Sequence, residues 1–323
     1  MVHNFNAGPS ILPKEVFEQA AQAVLNYNNT GLSILELGHR TSTFQAVMDE
    51  AQALLKELMH LDADHEVLFL HGGASTQFMQ VPMNLLDDKE TAAYADTGVW
   101  GVKAIKEAKL FGKVDVVCTG KDTNYTVIPK DFAVPNDAKY FHITTNNTIY
   151  GSQWQKIPAT SNVMVADMSS DIFSRPAPYN TLSLIYAGAQ KNMGAAGVNL
   201  VVVKKDLLGK ISRKIPTIMN YQKHIEAGSL MNTPPVFAVY VSMLTLRWII
   251  QEGGLDAMGL RNARKSSLLY DTIDSIPLFD APVAKEDRSE MNAIFFLKDP
   301  SLEKSFLALC KQEGMVGVKG YRT

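Results

Sequence analysis

The chain has 323 residues, 46% of them apolar, enough for a large buried core and for roughly two domains of about 150 residues. Its 31 Lys and Arg face 33 Asp and Glu, a net charge of −2. That balance leaves no broad basic field for nucleic acid or an anionic membrane, so a small-molecule partner is expected. The two cysteines, Cys118 and Cys310, stand far apart and form no CxxC pair, which argues against a disulfide framework or a thiolate zinc site and fits a reducing, cytoplasmic setting.

The opening Met1 to Gly8, MVHNFNAG, lacks the charged, apolar and small-residue succession of a secretory signal. Pro13 precedes apolar residues at helical spacing, Val16, Phe17, Ala20, Val24 and Leu25, and predicts a helix over Lys14 to Asn26. A second amphipathic run covers Phe44 to Met59. The burst Val67 to Leu70 ends in Gly72-Gly73, and Gln77 to Leu86 resumes a helical pattern, which reads as strand, glycine turn and helix. Further bursts follow at Thr91 to Ala95, Val114 to Cys118, Tyr140 to Ile143, Val163 to Ala166, Ser183 to Tyr186 and Val198 to Val203, several separated by helical stretches such as Gly101 to Leu110. The expectation is an α/β fold with one large, mostly parallel, seven-stranded sheet.

The longest apolar stretch, Pro235 to Ile250, carries Arg247 and falls short of the roughly 20 apolar residues of a membrane span. It reads as a core helix. Gly253-Gly254 and the amphipathic run Met258 to Asp274 mark a passage to a smaller α+β unit with a strand over Asn292 to Leu297, a helix over Leu302 to Glu313 and a strand-like Val316 to Lys319. A strand so close to Thr323 is expected to lead into further chain that covers its face.

Several catalytic motifs fail. His65-Glu66 has Phe69 where a second zinc-binding histidine would stand, and GxxxxGK[ST], GxGxxG and GxSxG do not occur. No metal site is expected. The informative stretches are Val163 to Ser169 and Leu184 to Lys191, apolar bursts that end in a carboxylate, Asp167, and an amine, Lys191. Both would sit at the carboxyl ends of adjacent strands, where open α/β sheets bind ligands. A lysine there can form a Schiff base with pyridoxal phosphate while a carboxylate keeps the pyridine nitrogen protonated. The same pair also fits a surface salt bridge. Gly72 to Gln77 offers small residues and hydroxyls between strand and helix for a phosphate, and Trp100 an aromatic face for a ring. Asn232-Thr233, before Pro234-Pro235, suits either a second phosphate contact or an ordinary helix cap.

These residues, together with the ordered motifs Asn4 to Pro9, Gly38-His-Arg40, Val99-Trp100, Asn147-Thr148, Ala166 to Ser170, Ser174-Arg-Pro176, Gly188 to Asn192, Asn232 to Pro235 and Gly317 to Gly320, resemble the phosphoserine aminotransferases. That family comprises fold-type-I pyridoxal phosphate enzymes. The resemblance implies a large domain over residues 14–257 and a small domain from 1–13 with 258–323. It implies Lys191 as the lysine bonded to the cofactor, Asp167 as partner of the ring nitrogen, Trp100 as the stacking ring and Thr148 as donor to the ring phenolate. The cofactor phosphate would be held by Ala74, Ser75 and Gln190, with Asn232 and Thr233 supplied by the other subunit of a homodimer. His39 and Arg40 would grip the substrate phosphate, and so would Arg322, beside Tyr321 where the family commonly has histidine.

The implied reaction is amino transfer between L-glutamate and 3-phosphohydroxypyruvate, giving O-phospho-L-serine and 2-oxoglutarate in serine biosynthesis. Family members also carry an arginine that clamps the substrate carboxylate beyond the position of Thr323, so no residue of this sequence takes that role. Two other readings remain open on the residues. A lyase or desulfurase of the same fold would share Lys191 and Asp167 without needing His39 and Arg40, and a non-catalytic cofactor-binding regulator would need a DNA-binding module for which no basic patch exists.

Overall fold

Side chains on both faces of the central strands are buried, and this decides the layering. In Met164-Val165-Ala166 and in Leu184 to Ala187 successive residues enter opposite hydrophobic clusters, so the sheet must be covered twice. The computed structural model of the chain describes residues 2–320. Its elements in order are β1 (His3–Asn4), α1 (Lys14–Asn26), α2 (Ser42–Met59), β2 (His65–His71), α3 (Ala74–Leu85), β3 (Thr91–Asp96), α4 (Val99–Ala108), β4 (Lys113–Thr119), β5 (Phe141–Thr144) and β6 (Met164–Asp167). There follow β7 (Leu184–Gly188), β8 (Val198–Lys204), α5 (Tyr221–Glu226), α6 (Val236–Gln251), α7 (Gly254–Ser275), β9 (Phe279–Asp280), β10 (Phe296–Leu297), α8 (Glu303–Gln312) and β11 (Met315–Val316).

The central sheet has seven strands in the order β2-β8-β7-β6-β5-β3-β4. Every pairing is parallel except the two made by β8. The reason is local, because the short link from Gly188 to Val198 cannot carry a crossover helix and must return antiparallel. Helices α1, α2 and α6 cover one face, and α3, α4 and α5 the other. Helix α6 is buried all along Ala238 to Leu246, as a helix apolar on every side requires. Among the described residues no helix is long and apolar enough to cross a membrane.

All seven expected strands are present, each within a few residues of its predicted bounds. The C-terminal region departs further. The expected strand Asn292 to Leu297 shrinks to Phe296–Leu297, paired antiparallel with β9, because residues 289–292 instead bond to the turn after β5. The expected Val316 to Lys319 becomes Met315–Val316, which pairs in parallel with β1. Gly317 ends it with φ 78 and leaves no room for a Cβ, which would lie 2.5 Å from the Asn6 nitrogen.

The β7–β8 link is pressed against α6. A Cβ on Gly194 would lie 2.6 Å from Ser242 Oγ and 3.1 Å from its Cα. Gly194→Ala is therefore expected to cost about 1–3 kcal/mol of stability, read as a lower urea midpoint at unchanged slope. An unchanged midpoint would contradict this packing.

Candidate active site

Strand β6 ends at Asp167 and its parallel neighbour β7 ends three residues before Lys191. The carboxylate is only 3% exposed. Its Oδ1 accepts from the Ser169 amide at 3.0 Å and the Ser169 hydroxyl at 2.6 Å. The same hydroxyl accepts from the Gly188 amide at 3.1 Å, so one side chain ties the ends of both strands. Oδ2 takes no hydrogen bond from the described residues. Burial pushes the Asp167 carboxyl up, while the Ser169 bonds and the Lys191 charge pull it down.

Lys191 Nζ donates to Thr148 Oγ1 at 2.5 Å and lies 5.4 Å from the centre of the Trp100 ring. Burial pushes the amine's pKa down, against the opposing pull of Asp167 and Asp171. A lysine so desolvated is easier to use as a nucleophile. Its segment is a fixed turn, closed by Ala189 N to Val198 O at 3.1 Å and Gly194 N to Ala189 O at 2.8 Å.

Trp100 occupies the first turn of α4, and Thr148 the turn that follows β5. The two elements are locked by a close approach at Gly98, whose φ is 150 and whose missing Cβ would sit 2.1 Å from Asn147 Nδ2. That amide donates to the Thr97 carbonyl.

A third element arrives at Gly188. A Cβ there would lie 3.0 Å from Gln190 Oε1 and 3.5 Å from the Ala74 nitrogen. The bare Cα thus lets the Gln190 amide and the start of α3 approach one point. The first turn of a helix has N–H groups without intrahelical acceptors, and the Gly73 cap has no side chain to take them from Ala74 and Ser75. Gly72, at φ 93, makes the preceding turn.

Other expected residues fall elsewhere. His39 and Arg40 precede the α2 cap, where Thr41 Oγ1 accepts from the Phe44 amide at 3.3 Å. Among the described residues the buried His39 Nε2 has no hydrogen-bond partner, Arg40 is exposed, and no bond joins either to the Lys191 cluster. Thr233 is exposed, and its carbonyl accepts from the His71 ring at the end of β2. Asn232 and Thr233 do not cap α6, because Pro235 holds that position without a side-chain bond. Arg322 lies outside the described residues.

The structure also brings in residues that spacing did not flag. The N-terminal segment lies on Gln190 and Lys191, with the Ser10 amide donating to the Gln190 carbonyl at 2.9 Å and its hydroxyl to the Lys191 carbonyl. A Cβ on Gly8 would lie 3.0 Å from Lys191 Cγ. The buried Asp171 accepts from Thr145 Oγ1 at 2.5 Å and Gln153 Nε2 at 3.1 Å. Only its place four residues after Asp167 could have drawn attention to it.

The arrangement, an open α/β sheet with a buried carboxylate and a half-buried lysine at neighbouring strand ends, agrees with the family model that matches residues 2–316, aminotransferase class-V. The chain belongs to the class-V aminotransferases. Among curated relatives it is 54% identical to the phosphoserine aminotransferase of Flavobacterium johnsoniae, over 99% of this chain and 90% of that one. Its fold superimposes on the phosphoserine aminotransferase of Bacillus circulans with a TM-score of 0.97 at 43% identity, covering 100% of this chain and 90% of that one. The pyridoxal phosphate-bound enzyme from Trichomonas vaginalis gives 0.94 at 33% identity, covering 100% and 93%. Within its class the chain is a member of the phosphoserine aminotransferase family.

Burial pushes the Asp171 carboxyl up to about 6, helped by the Asp167 charge and opposed by Thr145, Gln153 and Arg175. Because the folded value lies above the unfolded one, the group favours the folded chain fully below about pH 4, and that contribution is lost as the pH rises through about 6. Asp171→Asn cannot ionise. Apart from a constant offset for the Gln153 bond, its stability relative to the parent should rise by about 2 kcal/mol between pH 4 and pH 7 in urea titrations of the cofactor-free protein. A pH-independent difference would contradict the assigned environment.

Proposed function

We propose that the protein transfers the amino group of L-glutamate to 3-phosphohydroxypyruvate, giving O-phospho-L-serine and 2-oxoglutarate in cytoplasmic L-serine biosynthesis, with pyridoxal phosphate as cofactor. The observation that carries this reading is the pairing of Asp167 and Lys191 at the ends of β6 and β7. The residues fit the cofactor, because Asp167 has an oxygen left to accept a ring N–H, and Gly188 leaves open a space bordered by Gln190 and the start of α3.

Pyridoxal phosphate, when bound, supplies an electron-withdrawing ring that stabilises negative charge on a substrate α-carbon. In the proposed site Asp167 holds a proton at the ring nitrogen and Trp100 covers one ring face. Thr148 donates to the ring's phenolic oxygen. The Ala74 and Ser75 end of α3 and the Gln190 side chain hold the phosphate, with Asn232 and Thr233 of the partner subunit in a homodimer. Lys191 would hold the cofactor covalently, and once displaced by the substrate amine its free amine would take the proton from the substrate α-carbon as base and, as acid, deliver it to the cofactor's C4′ carbon. His39 and Arg40, before the positive end of α2, bind the substrate phosphate, a task suited to a guanidinium fork, with Arg322 as a further contact. The pairing of β1 with β11 supports a small domain made of residues 1–13 and 258–323 around the large domain 14–257.

Lys191→Ala should still bind the cofactor and lose turnover by at least about a thousandfold. Near-normal turnover would refute its role. Arg40→Ala should raise KM for phosphorylated substrates about ten- to hundredfold and leave KM for L-glutamate nearly unchanged. Equal effects on both would remove Arg40 from the phosphate site.

A further inference from the structure

The hydroxyl that meets Lys191 is held in place by the C-terminal part of the chain. Residues 287–292 run along the turn 146–153 and bond to it repeatedly. The Gln153 amide donates to the Asp287 carbonyl at 2.9 Å, the Ser289 amide to the Gly151 carbonyl at 2.8 Å, and the Glu290 amide to Gln153 Oε1 at 3.0 Å. Asn292 is the residue of this segment that reaches the Thr148 end. Its Nδ2 donates to the carbonyls of Asn147 at 3.2 Å and Thr148 at 3.0 Å. Its Oδ1 accepts from Asn146 Nδ2 at 2.8 Å and lies 3.1 Å from Ser289 Oγ. Both amide protons are therefore spent on the two backbone carbonyls that flank the Thr148 side chain.

The turn closes on itself through Asn147 N to Ser152 O at 2.7 Å and Gly151 N to Asn147 O at 2.8 Å, but neither bond engages Thr148. Gly151 has φ 78, and a Cβ on it would lie 2.7 Å from Ile294 Cγ1, so backbone meets the C-terminal segment at close range. Without Asn292, the Thr148 carbonyl would lose its donor and the Asn147 carbonyl would keep only the Gly151 amide at 2.8 Å, in a half-buried place, which favours a shift of the turn. Thr148 Oγ1 would move with it. We propose that Asn292 is a positioning residue that fixes Thr148 against Lys191 Nζ, so that the C-terminal segment orients the reactive amine. The inference rests on Lys191 being that amine, and otherwise on hydrogen bonds alone.

The groups facing Lys191 are Asp167, Asp171, the Thr148 hydroxyl and the Trp100 ring. An ammonium that loses the Thr148 acceptor is less favoured, so its pKa falls. The test uses cofactor-free protein and follows, by absorbance, the rate at which added pyridoxal phosphate joins the chain as a function of pH. Thr148→Val should lower the midpoint of that profile by about one pH unit. Asn292→Ala should lower it in the same direction, and Asn292→Leu, which keeps the side chain's volume but has neither donors nor a charge, should do so while still unfolding cooperatively in urea. The double variant Thr148→Val with Asn292→Ala should show no further shift, because both changes remove one interaction. An unshifted profile in both Asn292 variants, or shifts that simply add, overturns the proposal. Failure of the unaltered protein to take up pyridoxal phosphate instead overturns the proposed function.

Discussion

The Ser169 hydroxyl is the interaction on which the site depends. It gives its one proton to Asp167 and accepts the Gly188 amide, so the carboxyl ends of β6 and β7 are held at one separation. Everything proposed for the chemistry needs that separation, because Asp167 and Lys191 must reach opposite parts of one planar cofactor. The short link after Gly188 turns this fixed point into a fixed lysine: it is too brief for a helix, returns at once as β8, and is pressed by Gly194 onto α6.

Burial gives these groups their reactivity. Desolvation raises the Asp167 and Asp171 carboxyls and lowers the Lys191 amine, so each is pushed toward its neutral form, while the charges of Asp167 and Lys191 pull each other back. Asp167 resists through the two Ser169 bonds, and an acceptor left open on its other oxygen suits a cationic ring nitrogen. The close approaches at Gly98 and Gly188 serve the same purpose in steric terms. At Gly98 the missing Cβ makes room for the Asn147 side chain, and at Gly188 for Gln190 Oε1 and the Ala74 nitrogen.

Much of this was legible in the sequence. Seven strands could be read because apolar bursts bounded by polar or glycine residues are what a doubly covered sheet requires, and Asp167 and Lys191 stood at the ends of two of them. The contributions of Ser10, Gly8, Asp171 and Asn292 were not legible, since each reaches the site across long stretches of chain and none shares a period with it. The strand expected over Asn292 to Leu297 failed for a related reason. Its apolar residues suit a strand, but the backbone before Phe296 lies against the turn that holds Thr148, a competition invisible to local pattern. Asn232-Thr233 looked like a cap, and the proline pair that follows allows the helix to start without one.

In the proposed function the Asp167–Lys191 pair equips this chain for amino transfer between L-glutamate and a phosphorylated keto acid. The most direct test is the visible absorption of the purified protein loaded with pyridoxal phosphate, titrated first with L-glutamate and then with 3-phosphohydroxypyruvate. The protein should be yellow, with a band that fades with glutamate and returns with the keto acid. A yellow protein that does not respond to glutamate would contradict that function.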